Sequence, residues 1–234
     1  MTILSRIAAR VARDLKKIQR LRQARREGLH FAEPNFLYCP DLSAESVIID
    51  AGCSYQADFS LYLMEHYGVQ AIGVDPTRKH QAALRAIAAR HPGRFSHVPW
   101  AIAATDGTLT FHESQVNESG SLFADHVNVL RDDTTRYDVE AVSLGTLLAR
   151  LGLPRVDILK LDLEGAEYDL IERVTAAELE PIRQLFVEFH HHAVRHVGEG
   201  DTRRLVERLE GFGFRAFSVD DHNYLFRRVH PQSR

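Results

Sequence analysis

The sequence predicts an α/β fold in which one open, mostly parallel β-sheet carries helices on both faces. Apolar runs typical of buried strands alternate with helical patterns from residue 47 onward, and repeated strand–helix units form parallel sheets. The chain has 234 residues, 44% of them hydrophobic and 26% charged, which fits one globular domain, alone or with a short appendage. In such sheets, ligands bind beyond the carboxyl ends of the strands.

Seven segments have the apolar or alternating composition of strands. They are VIID at 47–50, AIGVD at 71–75, FSHVPWAIA at 95–103, VDILKLD at 156–162, LFVEFHH at 185–191, RAFSVD at 215–220 and NYLFRRV at 223–229. We expect the last two to pair as a hairpin.

The segments between these strands carry helical patterns. Helices are predicted within 51–67, over 78–91, within 137–153 and over 202–214. In the first of them, Phe59, Leu63 and Tyr67 recur at helical spacing after a glycine turn. A TDG turn leads into an added short strand at 108–114, and a further short strand opens the segment 137–153. Residues 115–136 are polar and irregular, so we expect a mobile loop there, long enough to act as a lid.

The first 29 residues predict a basic amphipathic helix that precedes one domain over residues 30–234. Nine basic and two acidic side chains give this segment a net charge of +7, against −3 for the whole chain, so the remainder carries −10. Apolar residues recur every three or four positions and share one helix face: Ile3, Ile7, Val11, Leu15, Ile18 and Leu21. Gly28 is a typical end signal. Two interpretations stay open. Either the apolar face packs on the domain or on a second copy in a homodimer, or it makes peripheral contact with an anionic membrane or covers a lipid-linked substrate.

Composition argues against several classes of protein. No apolar run approaches the roughly 20 residues that cross a bilayer, and the N-terminus lacks the continuous apolar segment of a secretory signal. Cys39 and Cys53 are the only cysteines and form no C-x-x-C pair, so we expect free thiols, no zinc site and a reducing, cytoplasmic compartment. Because the domain is acidic, nucleic acid is not an expected partner.

Two predicted strands end in residues suited to bind a nucleoside. The first strand runs into DAGCSYQ, where Gly52 lets the backbone turn closely past a ligand. A dinucleotide site would carry G-x-G-x-x-G here. Only one of those glycines is present, which disfavours a pyrophosphate. Asp75 closes the second strand and can accept the hydroxyls of a ribose.

The fourth strand ends in LKLDLEGAEYDL, which places Asp162, Glu164 and Glu167 around Gly165. Carboxylates this dense at the end of a buried strand are costly unless other groups compensate their charge. Lys160 alternates with Asp162 along the strand, so we expect it to pair with a nearby acid.

The order of these segments resembles that of FkbM-like methyltransferases over about residues 46–228. The segments that carry the resemblance are VIIDAGCSYQADFS, AIGVDPT, AIAATDGTLTF, SLGTLL, VDILKLDLEGAEYDLI and LFVEFHH. The most specific one contains K-x-D-x-E-G-x-E. The resemblance implies a Rossmann-like class I methyltransferase fold, with seven strands and an antiparallel last strand. It also implies S-adenosylmethionine (SAM) as the cofactor, and O-methylation of a hydroxyl on a sugar, glycolipid or other natural product.

The chain departs from the family pattern at two places. The first motif of the family continues D-x-G-A-N-x-G, whereas this chain has DAGCSYQ, with Cys53, Ser54 and Gln56 in place of the usual residues. The acid after the second strand is usually Glu in the family, and Asp75 is shorter by one methylene.

By the resemblance, six residues bind the cofactor. Asp50, Gly52 and Ser54 would hold the methionine part, Asp75 the ribose, and Trp100 and Ala101 the adenine, although Trp100 is equally suited to the core.

Three residues are predicted to be catalytic, because a hydroxyl acceptor needs a base. Asp162 is the first candidate, and Glu164 would polarise it, hold a sugar hydroxyl or cap the next helix. His190 is the rival base, since imidazole titrates near neutral pH. Glu167 is either a catalytic partner or a helix-dipole partner.

No metal ligand is predicted, because no motif with fixed ligand spacing is present. A divalent ion between Asp162, Glu188 and His190 is a disfavoured alternative, and so is a transition metal between His192 and His196.

Three other functions compete with O-methylation. The missing glycines disfavour a nicotinamide-dependent oxidoreductase, and the absent N-P-P-Y-type motif disfavours a nucleic-acid methyltransferase. A non-catalytic binding protein that keeps the fold is the main alternative, because the first motif is altered.

Overall fold

The computed structural model describes residues 3–32 and 36–229. Its helices are α1 (Ile3–Arg26), α2 (Asp58–Tyr67), α3 (Gln81–Arg90), α4 (Val127–Arg131), α5 (Leu144–Leu151), α6 (Glu167–Arg173), α7 (Ala176–Leu179) and α8 (Glu199–Gly211), with a 3₁₀ turn at Arg78–His80. Its strands are β1 (His30–Phe31), β2 (Leu37–Tyr38), β3 (Val47–Ala51), β4 (Gln70–Val74), β5 (Phe95–Val98), β6 (Ala101–Ile102), β7 (Gly107–Ser114), β8 (Gly120–Ser121), β9 (Thr134–Val142), β10 (Val156–Leu161), β11 (Ile182–Glu188), β12 (Phe214–Ser218) and β13 (Asn223–Arg228).

Seven strands form the main sheet in the order β12-β13-β11-β10-β3-β4-β5. The five strands from β11 to β5 are parallel, and the last strand of the chain, β13, lies antiparallel between β11 and β12. This confirms the predicted seven-stranded, mostly parallel sheet with an antiparallel last strand. It also confirms the terminal hairpin.

Helices cover both faces of this sheet, because its central strands are apolar on both sides. All six residues of β10 are buried, as expected of a strand inside a parallel sheet. Successive residues face opposite layers. Leu159 packs into one cluster with Leu185, whereas Ile158 packs into the other with Ile48. The two layers leave the carboxyl ends of β3, β4 and β10 at one edge, where the candidate site lies.

A second sheet of four strands, in the order β6-β9-β7-β8, corrects two predictions. The segment 95–103 is not one strand. It breaks at Pro99 and Trp100, and β6 then joins the second sheet, because proline has no N–H for a ladder and is confined to strand ends and edges. The segment 115–136 is also more regular than predicted, since it contains β8, α4 and the start of β9.

Polar side chains explain the order of the segment 115–136. Ser114 Oγ donates to Asp132 Oδ2 at 2.5 Å, and the Asn117 amide donates to the same carboxylate. Side chains of this kind satisfy turns locally, so polarity in this segment does not signal an irregular loop.

Helix α1 is anchored to the domain at its C-terminal end. Ala24 and Leu29 are buried with Phe217, Val219 and Leu225. Asp221 accepts hydrogen bonds from Arg20 at 2.7 Å and from Lys16 at 3.4 Å. Among the residues of the apolar face whose side chains the structure describes, Leu21 is the one that packs against this cluster.

The rest of the described apolar face of α1 is open. The exposed fractions of Val11, Leu15 and Ile18 are 51%, 56% and 45%. The interpretation that the whole apolar face packs on the domain is therefore wrong, because these three residues do not pack there. No helix within residues 3–32 and 36–229 is long and apolar enough to cross a bilayer.

Candidate active site

A cavity of about 270 Å³ lies at the carboxyl edge of β3, β4 and β10. Seven of the nine predicted site residues line it: Gly52, Ser54, Asp75, Trp100, Ala101, Asp162 and Glu164. Asp50 and His190 are not among the lining residues, and both are buried beside it. The second sheet closes the far wall through Phe111 and Gly120.

Gly52 is required by the close approach of two strand ends. Its φ is +74°, and a Cβ built there would lie 1.8 Å from the carbonyl oxygen of Asp162. No side chain fits in that space, because the obstacle is backbone. The turn after β3 therefore passes directly over the end of β10, which brings the predicted cofactor turn to the predicted base.

Asp50 does not reach the cavity. It is 1% exposed, accepts a hydrogen bond from Ser60 Oγ at 2.8 Å, and lies 3.2 Å from Lys160 Nζ. Lys160 Nζ also donates to the Gly52 carbonyl at 3.1 Å and to Asp162 Oδ2 at 3.2 Å. Asp50 thus holds the lysine that holds the turn, and the predicted pairing of Lys160 with an acid is confirmed.

The Lys160 ammonium compensates two of the acids at this edge. Burial lowers the pKa of Lys160, but the charges of Asp50 and Asp162 outweigh burial and raise it above its ordinary value. The lysine is therefore a permanent cation beneath the site, which answers part of the cost of packing carboxylates at the end of a buried strand.

Asp75 is 3% exposed, and its carboxylate is largely occupied within the protein. Its Oδ2 accepts from the Ser54 amide at 3.0 Å and lies 3.2 Å from His80 Nδ1, and its Oδ1 accepts from the Thr77 amide at 2.8 Å. Burial raises the pKa of Asp75, but the hydrogen bonds from His80 and Thr77 prevail and hold it below its ordinary value. Asp75 is an anion that orders the turn.

His80 was not predicted from the sequence, although it lines the cavity. It is 4% exposed, and its Nε2 is buried without a hydrogen-bond partner. Buried polar atoms are rarely left unpaired, so this nitrogen has hydrogen-bonding capacity that the protein does not use. A histidine five residues after a strand-ending acid has no motif of its own, and only the 3₁₀ turn at Arg78–His80 brings it back to Asp75.

His190 and Glu167 form a buried pair behind Asp162. Glu167 is 0% exposed, and its Oε1 accepts from the His190 amide at 2.9 Å and lies 3.1 Å from His190 Nδ1. The other ring nitrogen, Nε2, lies 3.6 Å from Asp162 Oδ1 and 3.5 Å from Glu164 Oε2. Three carboxylates therefore surround one imidazole.

This arrangement makes His190 a cation. Burial lowers the pKa of His190, but the charge and hydrogen bond of Glu167 and the charges of Glu164 and Asp162 raise it to about 10. At neutral pH the ring carries both protons and has no lone pair with which to act as a base. The structure thus favours Asp162 over the rival His190.

Asp162 and Glu164 have opposite electrostatic characters. The Asp162 side chain is 25% exposed. Burial raises its pKa, and the opposing charges of Lys160 and His190 do not cancel this effect. Burial also raises the pKa of Glu164, but the hydrogen bond from His126 and the charges of His190 and His126 together outweigh burial, so the net shift is downward. Asp162 is the better proton acceptor, and Glu164 is a fixed anion.

His126 fixes Glu164 from the segment 115–136. Its Nε2 lies 2.8 Å from Glu164 Oε2, while its Nδ1 accepts from the Asn128 amide at 3.3 Å at the start of α4. The second contact assigns the proton to Nε2, so an N–H faces the Glu164 carboxylate. Sequence reasoning treated this segment as a lid and missed that it supplies a buried histidine to the site.

A family model of the FkbM methyltransferase domain matches residues 57–216. The chain belongs to the FkbM methyltransferase family. The 31-O-demethyl-FK506 methyltransferase FkbM of Streptomyces tacrolimicus is 24% identical over 215 residues, which are 81% of this chain and 80% of that relative. The seven-stranded mixed sheet is the class I methyltransferase fold expected of this family.

The similar solved structures are more distant in sequence. Methyltransferase FkbM from Methylobacillus flagellatus is 12% identical with a TM-score of 0.48, over 80% of this chain and 44% of that one. This chain thus spans less than half of that structure. Aeropyrum pernix fibrillarin, whose crystal structure contains natively bound SAM, is 10% identical with a TM-score of 0.44, over 81% of this chain and 68% of that one.

The departures from the FkbM pattern have local structural consequences. Ser54 stands where the family has Asn and adopts a left-handed φ of 56°, a conformation that asparagine tolerates better than serine does. Cys53 is 5% exposed and packs close to Gly73, where a Cβ would lie 2.9 Å from its Sγ. Burial raises the pKa of this thiol, so it is a packing group rather than a nucleophile.

The position of Trp100 leaves both interpretations of its role open. It lines the cavity, packs partly buried against the main core, and lies under the guanidinium of Arg150 at 5.2 Å. Cys39 and Cys53 are free, as predicted. Within the described ranges, no group of three or more His, Cys, Asp or Glu side chains is placed to hold a metal ion. Asp162, Glu188 and His190 therefore do not form such a group.

Proposed function

We propose that this FkbM-family protein transfers a methyl group from SAM to a hydroxyl of a sugar, glycolipid or other small natural product. The observation that carries the proposal is the position of Asp162. Its carboxylate has a raised pKa, the residue borders the cavity, and its backbone carbonyl lies directly against the glycine turn of the cofactor motif. A carboxylate of raised pKa is a stronger base than an ordinary one, which suits removal of a hydroxyl proton.

The cavity residues fit SAM. The Gly52 turn presents backbone without a side chain, and the orphaned His80 Nε2 offers one hydrogen bond that the protein leaves unused. We assign Gly52 and Ser54 to the methionine part, Trp100 and Ala101 to the adenine, and His80, in place of the largely occupied Asp75, to a ribose hydroxyl. When bound, the cofactor supplies an activated methyl group on a cationic sulfur.

The acids and cations of this edge then divide the work. Asp162 takes the proton of the acceptor hydroxyl, and Glu164 remains ionised and favours the positive charge of the cofactor. His190 and Lys160 hold the Asp162 carboxylate from two sides. Orientation of the acceptor beside the methyl group supplies the rest of the rate enhancement, worth up to roughly 10 kcal/mol for well-aligned reactants.

A hydroxyl-rich, small acceptor fits the surroundings of Asp162. Glu188 lies at the end of β11, and burial followed by the charge of Asp162 raises its pKa to about 7, so it can donate as well as accept hydrogen bonds with hydroxyls. The name of the Streptomyces relative also specifies methylation of an oxygen. The acidic character of residues 30–234 gives no basis for a nucleic-acid acceptor.

Calorimetric titration with SAM and with its demethylated product, S-adenosylhomocysteine, tests the proposal, with NAD as the control ligand. We expect micromolar binding of both nucleosides and none of NAD. Asp162→Asn should leave the affinity for the product within about threefold and should lower turnover of a hydroxyl acceptor by roughly 10²–10⁴-fold. A folded protein that binds neither nucleoside would instead be a non-catalytic member of the family, and the proposal would fail.

A further inference from the structure

Helix α1 presents a defined apolar stripe to solvent. Val11, Leu15 and Ile18 are three of the eight large hydrophobic side chains that are exposed in the described residues. Their spacing of four and three residues places them on one helix face. Clustering of this kind marks an interaction surface, whereas single exposed apolar residues do not.

The stripe continues into three exposed arginines. Arg22 follows Ile18 by four residues, and Arg25 and Arg26 follow by seven and eight, so the same face changes from aliphatic to cationic toward the end of α1. We name these six residues the α1 stripe: Val11, Leu15, Ile18, Arg22, Arg25 and Arg26. Long basic side chains beside aliphatic ones are typical of helices that lie in a membrane interface.

The orientation of the α1 stripe is fixed by contacts on other sides of the helix. Ala24 is buried in the domain, Arg20 donates to Asp221 at 2.7 Å, and Glu27 accepts from Arg215 at 2.6 Å. These contacts tie down the end of α1 next to the domain and leave the α1 stripe facing away from them. The folded protein therefore holds the α1 stripe in a fixed orientation at its surface.

We propose that the α1 stripe docks on an anionic lipid surface. A stable protein interface needs roughly 20–30 residues from each partner, and six residues do not provide it. A lipid surface has no such minimum, because apolar insertion and attraction to anionic headgroups add, and each arginine near the surface strengthens binding roughly fivefold. The charge distribution agrees, since residues 1–29 carry +7 while the remainder carries −10. An anionic membrane thus attracts α1 and repels the rest of the chain.

Co-sedimentation of the full chain with vesicles tests this inference. We expect binding to vesicles of phosphatidylserine and phosphatidylcholine, weaker binding as salt rises, and little binding to phosphatidylcholine alone. Leu15→Glu should weaken binding at least about tenfold, because it places a charge in the apolar part of the stripe. The combined change of Arg22, Arg25 and Arg26 to Gln should weaken it roughly 100-fold.

Two surface variants away from α1 serve as matched controls. Val229→Glu places the same charge at a residue that is 53% exposed, and Arg203→Gln removes a cation whose side chain is 68% exposed on α8. Both should bind as the unmodified chain does, and circular dichroism should show equal helix content throughout. Equal binding by the stripe variants and the controls would overturn the proposal. So would a dimer, measured by light scattering, that Leu15→Glu dissociates, because the stripe would then join two copies of the chain.

Discussion

Removal of the His80 ring should abolish one identifiable contact to the cofactor. His80 lines the cavity, and its Nε2 is buried without a hydrogen-bond partner. Its Nδ1 lies 3.2 Å from the Asp75 carboxylate, and Asp75 already accepts two backbone hydrogen bonds. The ribose hydroxyl should therefore bind to His80. One neutral hydrogen bond contributes about 1 kcal/mol net, so His80→Ala should weaken S-adenosylhomocysteine binding about fivefold.

The decisive measurement compares three ligands in calorimetry: S-adenosylhomocysteine, its analogue without the 2′-hydroxyl and its analogue without the 3′-hydroxyl. In the unmodified chain, loss of the correct hydroxyl should cost about the same fivefold. In His80→Ala the same loss should cost nothing further, because the partner is already absent. His97→Ala is the matched control, since His97 Nε2 lies 3.0 Å from the Asp75 carbonyl oxygen and is not among the residues that line the cavity. An undiminished penalty for the analogue in His80→Ala would refute the assignment.

Two further experiments test the electrostatics and the geometry of the site. The pKa of His190 is raised to about 10, so this residue contributes stability that is complete below its unfolded pKa of about 6.5 and is lost as pH rises through 10. In urea titrations, the free energy of unfolding should fall faster between pH 7 and 10 in the unmodified chain than in His190→Asn, by at most about 1.4 kcal/mol per pH unit. Glu167→Gln should reduce this difference, and identical slopes would show that His190 is not a cation. Gly52→Ala should abolish product binding or folding, because its Cβ would lie 1.8 Å from the Asp162 carbonyl oxygen. An alanine variant that binds S-adenosylhomocysteine normally would contradict the close approach of the two strand ends.

The main sheet could be predicted because local sequence patterns identify its strands. Short apolar runs such as residues 156–161 are buried on both faces, and the alternation with helices implies parallel order. The third predicted strand failed where local signals conflict. Its apolar pattern continues past Pro99, but the missing N–H ends the ladder and the chain crosses to the second sheet.

The candidate site could be predicted only where a residue sits at a strand end. Asp75, Asp162 and Glu164 follow strands, so parallel order alone brings them together at one edge. His80 and His126 lie elsewhere in the chain and meet these acids through tertiary contacts that no spacing encodes. For the same reason, the sequence indicates that an acid ends a strand, but it does not show whether its carboxylate is available to a ligand or already hydrogen-bonded within the protein.

The dense acids of K-x-D-x-E-G-x-E are compensated one by one, from three parts of the fold. Lys160 on β10 pairs with Asp162, His126 in the segment 115–136 pairs with Glu164, and His190 beyond β11 pairs with Glu167. Asp162 and Glu164 have different partners, and their pKa values are shifted in opposite directions. Burial leaves the pKa of Asp162 raised despite its lysine, whereas His126 and His190 together leave the pKa of Glu164 lowered. Three similar carboxylates thus become one proton acceptor, one fixed anion and one anchor for a cation. The segment 115–136 contributes to this difference between the carboxylates. Without His126, Glu164 would lose the group that compensates its charge and would compete with Asp162 for the same proton.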